Sequence, residues 1–176
     1  MAVVGIFGGR FDPPHVGHLA LARAAVRQLG LDELRVTVVA DAGHKPAVAP
    51  AADRLAMARL AFPDATIELE EHAYTVDALQ AYGYDDPYFV VGADQLADLP
   101  TWKEPERVLE LARLAVAARP GFAAPNGSER IVVFELEPQD VSSTEIRERL
   151  RSGDPIEGLV VPEVAAYIVS RGLYVR

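Results

Sequence analysis

The chain has 176 residues, 50% of them hydrophobic and 24% charged, a globular composition that excludes a disordered tail. Its formal net charge of −9 offers no general positive field for a polyanion, which excludes nucleic acid as a partner but not a small anion held by a few local donors. The absence of cysteine removes disulfides, thiolate metal sites and cysteine nucleophiles, and agrees with a cytoplasmic setting.

The length fits one domain over 1–176. Residues 3–7 form a short apolar run that stops at Gly8 and Gly9, as a buried strand does before a sharp turn; a signal peptide would begin differently. Helical spacing over 16–29 then ends at Gly30. The alternation continues with a strand at 34–40, a helix at 52–62, a strand at 66–69, a helix at 75–82 and a strand at 88–91. After Gly92, Ala93 and Asp94 the spacing predicts a looped region containing Pro100 and Pro105, then a helix at 106–111 and strands at 114–118 and 131–134. Residues 119–129 read as a surface loop, and helices at 143–151 and 162–171 follow. No apolar run approaches the ~20 residues that span a bilayer, so no membrane association is expected. Alternating strands and helices predict an α/β, doubly wound, Rossmann-like parallel sheet with helices on both faces. In such folds the ligand crevice lies beyond the carboxyl ends of the strands.

The segment 8–18, GGRFDPPHVGH, falls at a strand-to-helix corner, where free helix N–H groups and the positive dipole end favour an anion. It matches neither a Walker A loop nor the GxGxxG fingerprint. His15 and His18 share a face of the first helical turn, and Gly17 leaves room for a ligand at the backbone. Singly, each histidine reads more often as an ordinary surface residue, and Asp12 with Pro13 and Pro14 as a plain helix start. In combination they point to phosphate. A third ligand at zinc spacing is not evident, and no protein-ligated metal is expected.

In VSSTEIR, 141–147, Ser143, Thr144 and Arg147 gather hydroxyls, amides and a guanidinium at a predicted helix start, a phosphate clamp. Ser142 and Glu145 also spell a capping box, worth roughly 1 kcal/mol. Asp94 follows a buried strand, where a carboxylate can accept from ribose hydroxyls or cap a helix. Trp102 is either a stacking surface for a flat ring or a buried anchor. His44 with Lys45, and Arg119, follow strands and could contact phosphate, with solvated loop charge as their default reading.

With these residues assembled, the sequence resembles bacterial nicotinate-nucleotide adenylyltransferases, within the nucleotidyltransferase superfamily marked by His-x-Gly-His. GGRFDPPHVGH, HKP, YTVDAL, VVGADQL, PTWKEP, ARPG, VSSTEIR and VPEVAAYIVSRGLY occur in the family's order over nearly the whole chain. The resemblance implies AMP transfer from ATP to nicotinate mononucleotide, release of pyrophosphate, magnesium on the polyphosphate, and no covalent enzyme intermediate. It implies that His15, His18 and Arg147 are catalytic and that Gly8, Gly9, Arg10, Phe11, Gly17, Gly92, Asp94, Ser143 and Thr144 hold ATP. His44, Lys45, Tyr74, Thr75, Trp102 and Arg119 would meet the acceptor, Trp102 on its pyridine ring and Tyr74 with Thr75 near its carboxylate. Arg10 stands where the family usually has Thr or Ser, and Ala73 replaces a Ser beside the acidic Glu70 and Glu71. Nicotinamide mononucleotide or another phosphorylated small molecule are therefore the alternative acceptors. A non-catalytic nucleotide-binding protein is the alternative outside the enzyme class, and a homo-oligomer is left open.

Overall fold

Side chains alternate across the first strand, β1 (Val4–Gly9), and the alternation decides what must cover it. Val4 and Ile6 join a buried cluster with Val76, Leu79 and Val108, whereas Phe7 joins a larger one with Leu19, Val36 and Met57. The strand at Arg113–Ala118 behaves alike, with Leu114 and Val116 on one face and Ala115 and Ala117 on the other. Strands buried on both faces require helices on both sides. The computed structural model, which describes residues 1–40, 47–122 and 128–175, has that architecture.

The remaining strands are β2 (Glu33–Val39), β3 (Thr66–Glu70), β4 (Tyr88–Gly92), β5 (Arg113–Ala118) and β6 (Ile131–Glu135). They form one sheet in the order β3-β2-β1-β4-β5-β6 with every pairing parallel, the expected doubly wound arrangement. On the larger cluster lie α1 (Val16–Leu29), α2 (Ala51–Ala61), α6 (Ser143–Ser152) and α7 (Pro162–Arg171), which contribute Leu19, Met57, Ile146 and Ile168 among others. The opposite face is covered by α3 (Thr75–Tyr82), α4 (Ala93–Asp98) and α5 (Pro105–Leu111), through Val76, Leu96 and Val108. The chain winds outward in one direction from β1 and in the other from β4, so these two strands flank the switch point.

The predicted boundaries hold to within a residue or two, and Gly30 closes α1 in a left-handed conformation, φ 63°. The difference is α4 with the 3-10 turn that follows it, Leu99–Thr101, where a looped region is expected. Only Leu96 and Leu99 of this stretch carry buried aliphatic side chains against β4 and β5, too few for a helical period to register. Among the described residues no helix is long and apolar enough to cross a membrane.

Candidate active site

Past Gly9 the chain must leave the sheet and enter α1 within a few residues. Phe11 makes this turn at φ 50°, an uncommon setting outside glycine. Packing holds it there. The ring is 2% exposed and sits edge-on to Phe7 at 5.3 Å, Phe62 at 5.5 Å and His18 at 5.0 Å. Phe11 therefore anchors the loop in the core and buttresses a histidine, while still edging the cavity described below. Asp12, followed by a cis peptide to Pro13, turns its carboxylate inward to the Val48 amide at 2.7 Å, the Ala49 amide at 3.1 Å and the Tyr174 hydroxyl at 2.7 Å.

His15 and His18 use their rings to start α1. His15 is the N-cap, its Nδ1 accepting from the Gly17 amide at 3.1 Å, and His18 reaches back so that its Nδ1 accepts from the His15 amide at 3.1 Å. The two rings stack at 3.7 Å. With each Nδ1 committed as an acceptor, the neutral rings carry their protons on Nε2 as donors. Burial lowers His15 to about 4 and His18 to about 3, the latter lowered further by its neighbour, so both are neutral near pH 7. Gly17 leaves the His15 ring undisturbed, since a Cβ there would lie tight against it at 3.0 Å and against Val141 at 3.1 Å.

The start of α6 is stitched to the same loop. Ser143 Oγ donates to the Pro13 carbonyl at 2.8 Å, and Arg147 donates through Nη1 to the Asp12 carbonyl at 2.8 Å and through Nη2 to Thr144 Oγ1 at 3.3 Å. Ser142 caps the helix by accepting from the Glu145 amide at 3.1 Å. Only half of the expected capping box forms, because the Glu145 carboxylate takes Arg149 Nε at 2.9 Å one turn on. Across the switch point, the Gly92 amide donates to Gln95 Oε1 at 3.1 Å, and Asp94 is exposed in the first turn of α4. Between these elements opens a cavity of about 570 Å³, lined by Gly8, Gly9, Arg10, Phe11, His18, Gly92, Asp94, Gln95, Ser143 and Arg147. That volume suits a nucleotide. A loop Gly-Gly, a histidine, a carboxylate, a hydroxyl and a guanidinium thus share one chamber at the carboxyl ends of β1 and β4.

A second cavity, about 300 Å³, is lined by Ala73, Tyr74, Thr75, Asp98, Thr101, Trp102 and Lys103. It sits at the start of α3, whose N-cap residue Tyr74 makes no side-chain cap hydrogen bond, leaving first-turn amides for a ligand. Trp102 is half-buried, edge-on to Phe89 at 6.1 Å, and so both anchors the segment and borders the cavity. Glu70, close in sequence, is buried and spent: Tyr82 donates to one oxygen, and the His72 amide and ring meet the other at 2.6 and 2.7 Å. Arg119 is exposed beyond β5 and lines neither cavity. His44 and Lys45 lie outside the described residues.

Residues 6–149 match the Cytidylyltransferase-like family model. A relative from Roseiflexus sp. (strain RS-1), named as a probable nicotinate-nucleotide adenylyltransferase, is 40% identical over 98% of this chain and 98% of its own. One from Thermus thermophilus, of the same name, is 39% identical over 97% and 98%. The chain belongs to the nicotinate-nucleotide adenylyltransferase family. It is similar in fold to a Plasmodium falciparum nicotinic acid mononucleotide adenylyltransferase complexed with NaAD, at TM-score 0.82 and 20% identity over 99% of this chain and 98% of that one.

Three features of this adenylyltransferase escape a reading of its sequence. Arg54, 1% exposed, donates to the carbonyls of Ala49 (3.1 Å), Arg10 (2.9 Å), Val39 (2.7 Å) and Ala40 (2.9 Å), tying the ends of β1 and β2 to the start of α2. A charged residue in a helix ordinarily reads as solvent-facing, but Arg54 is in step with Met57, Ala58 and Ala61 on the buried stripe, which is the signal available. Asp12 is a latch and not a helix start, and its partner Tyr174 lies 162 positions downstream. Gln95 borders the nucleotide-sized cavity beside Asp94 and caps the turn after β4.

Proposed function

We propose that the larger cavity binds ATP and the smaller one the ring of nicotinate mononucleotide, and that the chain transfers AMP between them to give deamido-NAD and pyrophosphate. The observation that carries this reading is the convergence of His18, Ser143, Arg147 and Asp94 in one chamber at the switch point, with His15 stacked on His18. Asp94 accepts from the ribose hydroxyls, and Gly8 and Gly9 let the nucleotide lie against the end of β1. The Nε2–H donors of His15 and His18, the amides of Ser143 and Thr144, the Thr144 hydroxyl, and Arg147 neutralise charge that builds on the α- and β-phosphates. A phosphate monoester is already a nucleophile. One of its oxygens forms a bond to the α-phosphorus while the bond from that phosphorus to the α–β bridging oxygen breaks, and the electron pair leaves with pyrophosphate.

On the acceptor side, Trp102 offers a flat surface to the pyridine ring, and the uncapped start of α3 at Tyr74 and Thr75 suits its carboxylate. Glu70 is engaged by Tyr82 and His72 and does not line this cavity, so its charge does not face that carboxylate. Magnesium belongs to the reading as an ion carried by the triphosphate, where it would offset phosphate charge. Among the described residues no group of three or more His, Cys, Asp or Glu side chains is placed to hold a metal ion. The reading places the reaction in the cytoplasm.

The test is pyrophosphate release with ATP, magnesium and a panel of nicotinate mononucleotide, nicotinamide mononucleotide, pantetheine phosphate and flavin mononucleotide. Nicotinate mononucleotide is expected to be the best acceptor; release with none of the panel refutes the reading. His15→Ala and His18→Ala should each lower kcat roughly a hundredfold, and turnover that survives the double substitution refutes their role.

A further inference from the structure

The smaller cavity contains a charge arrangement that the transfer chemistry itself does not require. Lys103 is the one cationic side chain among its described lining residues, and its ammonium donates to both oxygens of Asp77 at 2.9 Å. It also stands 4.9 Å from the centre of the Tyr74 ring. Asp77 is in the first turn of α3, the turn that begins at Thr75 in the cavity wall. Left alone, an aspartate there would spend the positive end of the helix and repel any second carboxylate brought to it. Asp98, also in the wall, adds to that repulsion. The bond to Asp77 raises the pKa of Lys103, so the ammonium stays charged through the neutral range.

We infer that the Lys103–Asp77 pair sets the preference of this site for an acid over an amide on the acceptor ring. Lys103 supplies the counter-charge: it cancels Asp77 and leaves the start of α3 free to receive a carboxylate. A carboxamide, being neutral, gains nothing from the ammonium and loses nothing to the bare aspartate. The inference rests on the proposed seating of the pyridine ring in this cavity, and it adds a specificity-determining pair to that seating. Both side chains are partly exposed, at 40% and 35%, so solvent screens the effect.

The experiment compares kcat/KM for nicotinate mononucleotide with kcat/KM for nicotinamide mononucleotide in the wild type, Lys103→Met, Lys103→Arg, Asp77→Asn and the double variant Asp77→Asn with Lys103→Met. In Lys103→Met the acid-to-amide ratio should fall roughly twofold to fivefold, the range for a screened charge pair. Lys103→Arg should retain most of the ratio, Asp77→Asn should hold or raise it, and the double variant should recover part of what Lys103→Met loses. A pair that served only to fasten α3 would lower both acceptors together and leave the ratio unmoved. A ratio unchanged in Lys103→Met, or one that falls as far in Asp77→Asn, overturns the inference while nicotinate mononucleotide remains a substrate. A wild type that accepts neither pyridine mononucleotide overturns the seating of the ring and this inference with it.

Discussion

Replacing His15 by Asn and His18 by Gln removes two titrating rings while retaining both hydrogen bonds at the start of α1. Asn is a strong N-cap acceptor, and Gln at the third helical position reaches back to the cap amide as His18 does. Burial lowers His15 from 6.5 to about 4 and His18 from 6.5 to about 3. Below pH 6.5 the unfolded chain therefore takes protons on these rings that the native state refuses. Their neutral burial costs nothing above that pH, and stability is progressively lost as the pH falls towards the folded values. At pH 5 the unfolded rings are about 1.5 units past their midpoint, which at about 1.36 kcal/mol per unit is roughly 2 kcal/mol for each and at most about 4 kcal/mol together. That is a large share of an ordinary domain's stability, which is about 5–15 kcal/mol. Urea unfolding at pH 7 and pH 5 reads the effect directly: the wild type should lose up to about 4 kcal/mol more than the double variant over this interval. Carboxylates that start to titrate there contribute equally to both proteins and drop out of the difference. Equal losses refute the claim that the two rings are buried neutral.

Gly17→Ala would put a methyl 3.0 Å from the His15 ring and push it by a few tenths of an ångström, so pyrophosphate release should fall roughly severalfold while the urea midpoint moves little. Arg54→Met leaves four carbonyls short of their donor and should cost about 4 kcal/mol or more in urea unfolding, with Arg54→Lys recovering part of it. Tyr174→Phe leaves Asp12 with its two amide partners, an expected loss of about 1 kcal/mol measurable in the same way. A Tyr174→Phe protein as stable as the wild type would remove Tyr174 from the latch.

The order of the elements is legible in the sequence because doubly buried strands read as apolar runs and the helices carry their own stop signals, Gly30 among them. α4 is not legible, since its few turns rest on two leucines whose burial depends on strands distant in sequence. The histidine pair, Asp94 and the Ser143–Arg147 group are visible as chemistry placed after strands or at helix starts. What is hidden is the direction in which each side chain turns. Phe11 faces the core, and Glu70 turns inward because Tyr82 and His72 are there to receive it. Nothing local announces either, since both outcomes depend on residues brought together by the sheet. Arg54 is the sharpest case, a cation whose place on an apolar stripe becomes meaningful only once three chain segments converge on it.

The hydrogen bond from Tyr174 to Asp12 also has a bearing on how the protein is made. The histidine loop leaves the ribosome long before its partners: the carboxylate that secures it waits for a hydroxyl 162 residues later, and Ser143 and Arg147 arrive almost as late. A nascent chain can build β1, α1 and β2 early, but its histidine loop remains without its full fastenings until translation has passed Tyr174. Contacts of such sequence separation form slowly because the intervening chain must first be ordered. A product terminated before that point would carry the whole motif and lack the Tyr174 contact that fastens Asp12.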